Sequence, residues 1–135
     1  MKILIKNGRV INPASGFDQV ADLAIAAGRI VSIGAVPADF APHKTIDASG
    51  CVVAPGLVDL SVRLREPGHE HEGMLESELA AAVAGGVTSL VCPPDTDPVL
   101  DEPGLVEMLK FRAEKLHQSR VFPLGALTRG LRGTA

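Results

Sequence analysis

The sequence contains no tryptophan and no tyrosine, and only four phenylalanines among 135 residues. Nucleic-acid surfaces usually combine a basic stripe with aromatic stacking platforms. Here the platforms are missing, the basic residues form no block, and the formal net charge is −3. Binding to nucleic acid is therefore not expected. Cysteine is scarce as well. Cys51 and Cys92 lie far apart and outside any C-x-x-C spacing, so two reduced thiols are expected rather than a disulfide or a metal site. No apolar run approaches the roughly 18 residues of a membrane span. Lys2, Lys6 and Arg9 interrupt any signal-peptide core at the N-terminus. A soluble, cytoplasmic protein is expected.

What is present suits a packed globular chain, 46% hydrophobic and 21% charged. Residues 1–54 carry short apolar runs separated by turn signals. Ile3-Leu4-Ile5, Asn7-Gly8 and Val10-Ile11 predict a hairpin; Asp22–Ala26 and Arg29–Ile33 flank Ala27-Gly28 and predict a second. Thr45-Ile46-Asp47 and Cys51-Val52-Val53 around Ala48-Ser49-Gly50 suggest a third. Together they predict a small antiparallel β unit.

At Ala54-Pro55-Gly56 the pattern changes, so residues 55–135 are expected to form a second unit. From Leu57 to Leu64 apolar and polar residues nearly alternate, the period of a strand. Asp59, Ser61, Arg63 and Arg65 fall on one face and Leu60, Val62 and Leu64 on the other, and Pro67-Gly68 ends the strand. Leu75, Leu79, Ala82 and Val83 give Glu72–Ala84 an apolar helical stripe, stopped by Gly85-Gly86. Val87–Cys92 is a nearly continuous apolar run, typical of a buried parallel strand. A second helix carries Leu105, Leu109, Ala113 and Leu116, with Asp101 as its expected cap and Pro103 in its first turn. Arg120–Leu127 is a third strand. The order β-α-β-α-β predicts an α/β unit with parallel strands. A closed eight-unit barrel takes about 250 residues, so the expectation is the N-terminal part of a larger fold. A self-contained three-stranded domain is the alternative.

Taken together, the N-terminal β unit, VVAPGLVDLSVRLREPG and CPPDTDPVLD resemble the dihydroorotase branch of the cyclic amidohydrolases. The likeness runs over essentially the whole chain. It implies an N-terminal β-sandwich portion followed by the first strands and helices of a metal-binding (β/α)8 TIM-type barrel, incomplete in this chain. It also implies the opening or closing of the cyclic amide of dihydroorotate in pyrimidine synthesis. The family's first barrel strand ends D-x-H-x-H-L-R, and its two histidines bind zinc. Asp59 and Arg65 match that pattern, but Ser61 and Arg63 stand at the histidine positions. The family's M-P-N-T supplies an asparagine that helps the arginine hold the substrate carboxylate; that position is Asp95. By resemblance, Arg65 and Asp95 are the substrate-binding positions, and Asp59, Ser61 and Arg63 are a vestigial metal site.

The chemistry of these departures is plain without the family. Amide hydrolysis at neutral pH uses a strong nucleophile, such as water on a metal that lowers its pKa to about 7. A serine hydroxyl is a poor zinc ligand, and an arginine is permanently cationic with no lone pair to offer. A guanidinium about 5 Å from a dication, at an effective dielectric near 20, costs roughly 7 kcal/mol of repulsion. No zinc, no other cofactor and no catalytic residue is expected here. His69 and His71 imitate H-x-H, but in a loop nothing aligns their side chains, and two solvated histidines are the simpler expectation. His43 and His117 are expected at the surface. Arg63 and Arg65 call for anions, and the resemblance, by placing Asp59 and Asp95 at strand C-termini, makes these two the candidate partners. An ion-pair network plugging a disused site is preferred to an anion pocket, because Asp95 would repel an anionic ligand.

Some members of the family lack the metal ligands and act as scaffolds for aspartate transcarbamoylase. The resemblance thus implies a non-catalytic homologue with that partner, in an oligomer. An active dihydroorotase drawing its metal ligands from residues beyond Ala135 is the alternative.

Overall fold

The computed structural model describes residues 1–134, which contain eight strands and two α-helices. One compact unit runs from Met1 to Pro55 and a second begins at Gly56. Among the described residues, no helix is long and apolar enough to cross a membrane.

The first unit is a single five-stranded sheet. Its strands are β1 (Lys2–Asn12), β2 (Phe17–Ala26), β3 (Arg29–Ile33), β4 (Lys44–Asp47) and β5 (Val52–Val53). The order is β3-β2-β1-β4, and β5 also pairs with β1. The expected Ala27-Gly28 hairpin forms between β2 and β3, with φ of 50° and 72° at its two turn residues. A turn with φ > 0 at both positions matches the twist of the strands it joins.

Two other expected hairpins do not form. Asn7-Gly8 is a bulge inside the continuous β1, where the register with β2 shifts between Ile5 and Gly8 and Asn7 sits at φ 66°. An extra residue in one strand absorbs the turn-like backbone without reversing the chain. The reversal comes later, between Asn12 and Phe17. Nor do β4 and β5 pair with each other: both add to β1 in parallel. The sheet is therefore mixed, not wholly antiparallel.

The second unit follows the expected alternation: β6 (Leu57–Asp59), α1 (Leu75–Ala84), β7 (Val87–Cys92), α2 (Pro103–Lys115) and β8 (Arg120–Pro123). The strands are parallel in the order β6-β7-β8. A mixed α/β architecture is thus observed, with its core made by Leu64, Leu75, Leu79, Leu90, Cys92, Leu100, Leu109 and Ala113. Leu64, Leu79, Leu90 and Leu100 are wholly buried, which at about 25 cal/mol per Å² of apolar surface is the main stabilising term of this unit.

Boundaries differ from expectation at several points. β6 ends at Asp59, and β8 at Pro123 rather than Leu127. Helix α1 starts at Leu75, not Glu72, because its first backbone amides find side-chain acceptors there: Met74 N–H donates to Ser77 Oγ and Leu75 N–H to Glu66 Oε2, at 3.2 and 2.8 Å. Asp101 does not cap α2. Glu102 is the capping position, and Asp101 Oδ2 instead accepts the Gly130 amide.

Candidate functional site

Beyond β6 the chain stays tied to β7, since Val62 N–H donates to the Val91 carbonyl at 2.9 Å. The alternation read from the sequence persists as burial from Val62 onward: Val62, Leu64 and Glu66 turn inward, while Ser61, Arg63 and Arg65 are exposed. Leu60, expected on the inward face, is instead 73% exposed. Leu64 anchors the stretch in the core and so presents Arg63 and Arg65 on either side of itself. At Arg65, φ reaches 63° and the extended run breaks.

The two sequence phrases, LREPG and CPPDTDP, meet in space. Arg63 Nε donates to Asp95 Oδ2 at 2.8 Å. Asp97 N–H donates to the Pro67 carbonyl at 3.1 Å. Gly68, at φ 101°, lies so close to Asp97 that a Cβ there would collide with its backbone. Between the phrases lies a hollow of about 170 Å³ lined by Arg63, Leu64, Arg65, His69, Cys92, Pro93, Asp95 and Thr96. Burial pushes the Cys92 thiol up, and the nearby Asp95 carboxylate adds to that, so its sulfur is held as the unreactive thiol.

Of the expected partners, Asp95 takes Arg63 but Asp59 takes neither arginine. Asp59 Oδ1 accepts the Ser61 amide at 3.0 Å, a local turn-type bond available to a short carboxylate two residues away. Arg65 pairs instead with Glu72, Nη1 to Oε2 at 3.1 Å. Glu72 was not singled out in the sequence, because nothing local marks a loop residue seven positions downstream as a partner. His69 is half-buried at the hollow, whereas His71 is exposed, 3.7 Å from Glu72. Their ring centres are 6.1 Å apart. His43 and His117 are exposed, and His43 Nδ1 accepts the Lys2 amide.

A residue that sequence reasoning missed is Glu66. It is 2% exposed. One oxygen accepts the first amide of α1 and the other pairs with Arg112 of α2, so a single carboxylate joins the end of the arginine row to both helices. A carboxylate held at a helix N-terminus and by a guanidinium is favourably placed. Its signal was available: it continues the inward phase of Val62 and Leu64.

The donor set does not suit zinc. Ser61 offers a neutral hydroxyl, Arg63 a cation already engaged by Asp95, and among the described residues no group of three or more His, Cys, Asp or Glu side chains is gathered to hold a metal. The arrangement that exists is two half-exposed arginine–carboxylate pairs bordering a small hollow.

Residues 50–134, more than half of the chain, match the family described as dihydro-orotase-like. The chain belongs to the dihydroorotase-like family. Over 133 residues it is 58% identical to a dihydroorotase-like protein of Pseudomonas aeruginosa and 44% identical to a dihydroorotase of Syntrophotalea carbinolica, in each case covering 98% of this chain and 31% of the relative. The chain thus spans about a third of the length of the curated relatives it matches. Among solved structures it is similar to the L-hydantoinase of Arthrobacter aurescens, with a TM-score of 0.79 at 26% identity over 93% of this chain and 28% of that one. A D-hydantoinase matches with a TM-score of 0.65 at 24% identity, over 97% of this chain and 29% of the other, a likeness of fold.

Proposed function

We propose that this chain is the N-terminal part of a dihydroorotase-like protein that does not hydrolyse cyclic amides, and that supports the assembly of aspartate transcarbamoylase in pyrimidine biosynthesis. In this account Met1–Pro55 contributes to a β-sandwich. The β6–α1–β7–α2–β8 unit begins a (β/α)8 barrel, a reading supported by the likeness to L-hydantoinase. The protein acts in the cytoplasm, as an oligomer, and binds no zinc at this strand.

The observation that carries the proposal is the Arg63–Asp95 pair. A family histidine position is filled by a cation, and the cation's counter-charge is the residue standing where the family's substrate-binding asparagine would be. One ion pair thereby alters both the metal position and the carboxylate position. Arg65 keeps its place but is engaged by Glu72. The name dihydroorotase-like protein carried by the Pseudomonas relatives agrees with this account. Sedimentation of the whole protein with aspartate transcarbamoylase tests it: co-migration as a larger particle is expected, and independent migration of the two removes the scaffold role.

Relatives named dihydroorotase, at 44% identity, favour a second account, in which ligands from residues beyond Ala135 hold a metal and the protein turns over dihydroorotate. Elemental analysis with a turnover assay separates the two.

A further inference from the structure

We propose that the outward face of α2 is a self-association surface, on which a second copy of this chain lies antiparallel with Phe111 against the partner's Phe111.

Helix α2 buries Leu109 and Ala113 and packs Leu105, Val106 and Leu116 against the same core. At 100° per residue, the direction opposite that stripe is centred on Phe111. This aromatic side chain, one of only four in the sequence, is 58% exposed, and Met108 beside it is 39% exposed. The two flanks of the helix face other parts of the unit. Arg112 turns to Glu66, and Lys110 borders the groove shared with Arg120 and Phe122. Phe111 lies between these flanks.

The charges around Phe111 point to a copy of the same chain as the occupant. Glu107 stands one turn before Phe111 and Lys115 one turn after it, so the three share an i, i+4 row. Lys115 Nζ lies 4.3 Å from the Phe111 ring centre, and Glu107 is 3.6 Å from Lys110. In the commonest helix crossing, about −50°, the i±4 rows of two helices run alongside each other. A two-fold axis at Phe111 then sets Glu107 beside the partner's Lys115, and Lys115 beside the partner's Glu107. A self-complementary patch is what an isologous interface requires. Gly104, one turn before Met108, leaves open space beside the row. A helix of 13 residues is about 20 Å long, which offers less than the roughly 800 Å² per partner of a standard interface. The association is accordingly weak and concentration-dependent.

Sedimentation velocity over a concentration series tests it, with circular dichroism confirming that each variant is folded. The unmodified chain is expected to shift toward dimer as concentration rises. E107K and K115E, each alone, place like charges across the axis and are expected to weaken self-association about tenfold or more. Mixed together, the two variants regain complementary charges and associate about as well as the unmodified chain. Phe111→Ser, which replaces a solvent-facing side chain, is expected to abolish the dimer. A chain that stays monomeric throughout overturns the proposal. So does association that is unchanged in both charge variants, which would place the contact elsewhere, for instance at the outer edges of β6 and β8. A mixture that fails to associate while both variants are folded overturns it as well.

Discussion

Arg63 on the extended segment after β6 and Asp95 in the loop after β7 form an ion pair at 2.8 Å, joining two loops at one end of a parallel sheet. Both side chains remain partly exposed, at 56% and 39%. That exposure separates two consequences of the pair. In the proposed account its chemical effect is large, because Arg63, a fixed cation with no lone pair to offer, stands at a position where the resemblance expects a metal ligand. Its effect on stability is small, because water screens it. Exposed pairs contribute roughly 0–1 kcal/mol. Arg63→Ala and Asp95→Ala are each expected to lower unfolding free energy by no more than about 1 kcal/mol in urea denaturation. A loss of about 3 kcal/mol or more would show that the pair is a structural element.

Glu66 is the opposite case. It is buried, and removing it frees the first amide of α1 and leaves Arg112 without its partner. Glu66→Ala is expected to cost about 3 kcal/mol or more, read as a lower denaturation midpoint. A change under about 1 kcal/mol would mean that water replaces the carboxylate at no cost.

The two thiols should react at very different rates. Cys51 is exposed, whereas Cys92 is 1% exposed and its thiol is pushed up chiefly by burial. A thiol reagent added to the folded chain is expected to label Cys51 promptly and Cys92 only on unfolding. Equal rates would contradict the packing of Cys92 beneath the hollow.

In the N-terminal sheet, Asp18 and Asp47 are both held below the usual carboxylate range. Asp18 is lowered first by the hydrogen bond from Arg9, and Asp47 by those from Ser49 and Asn7. A folded-state pKa below the unfolded one contributes stability that is fully present above the unfolded value, about 3.9. That stability is lost as pH falls through the folded values. Acidification below about pH 4 should therefore weaken this sheet, and the Asp18→Asn, Asp47→Asn double variant should show a shallower acid dependence. NMR titration of the two carboxylates tests the direction; values at or above the ordinary range would contradict it.

Much of this was legible in the sequence where the relevant contacts are local. The inward phase of Val62 and Leu64, the parallel β-α-β-α-β order and the Ala27-Gly28 turn all follow from nearest-neighbour patterns, and the structure keeps each of them. Asn7-Gly8 misled because the same positive φ serves a bulge as well as a turn. The parallel addition of β4 and β5 to β1 is a choice among distant partners, which local periodicity does not encode. At the site, Asp95 was one of two partners expected for the arginines once the resemblance placed both carboxylates at strand ends, and charge alone did not choose it over Asp59. Glu72 could not be ranked the same way, because its pairing depends on how the loop after Arg65 folds back. The burial of Glu66 follows from the inward phase of Val62 and Leu64, but its partners on α1 and α2 do not.

The most direct test of the central claim is the zinc content of the whole protein, purified without chelators and assayed for dihydroorotate turnover in the same preparation. With a guanidinium at the family's histidine position, zinc well below one per chain and no turnover above background are expected. About one zinc per chain together with turnover would contradict the account.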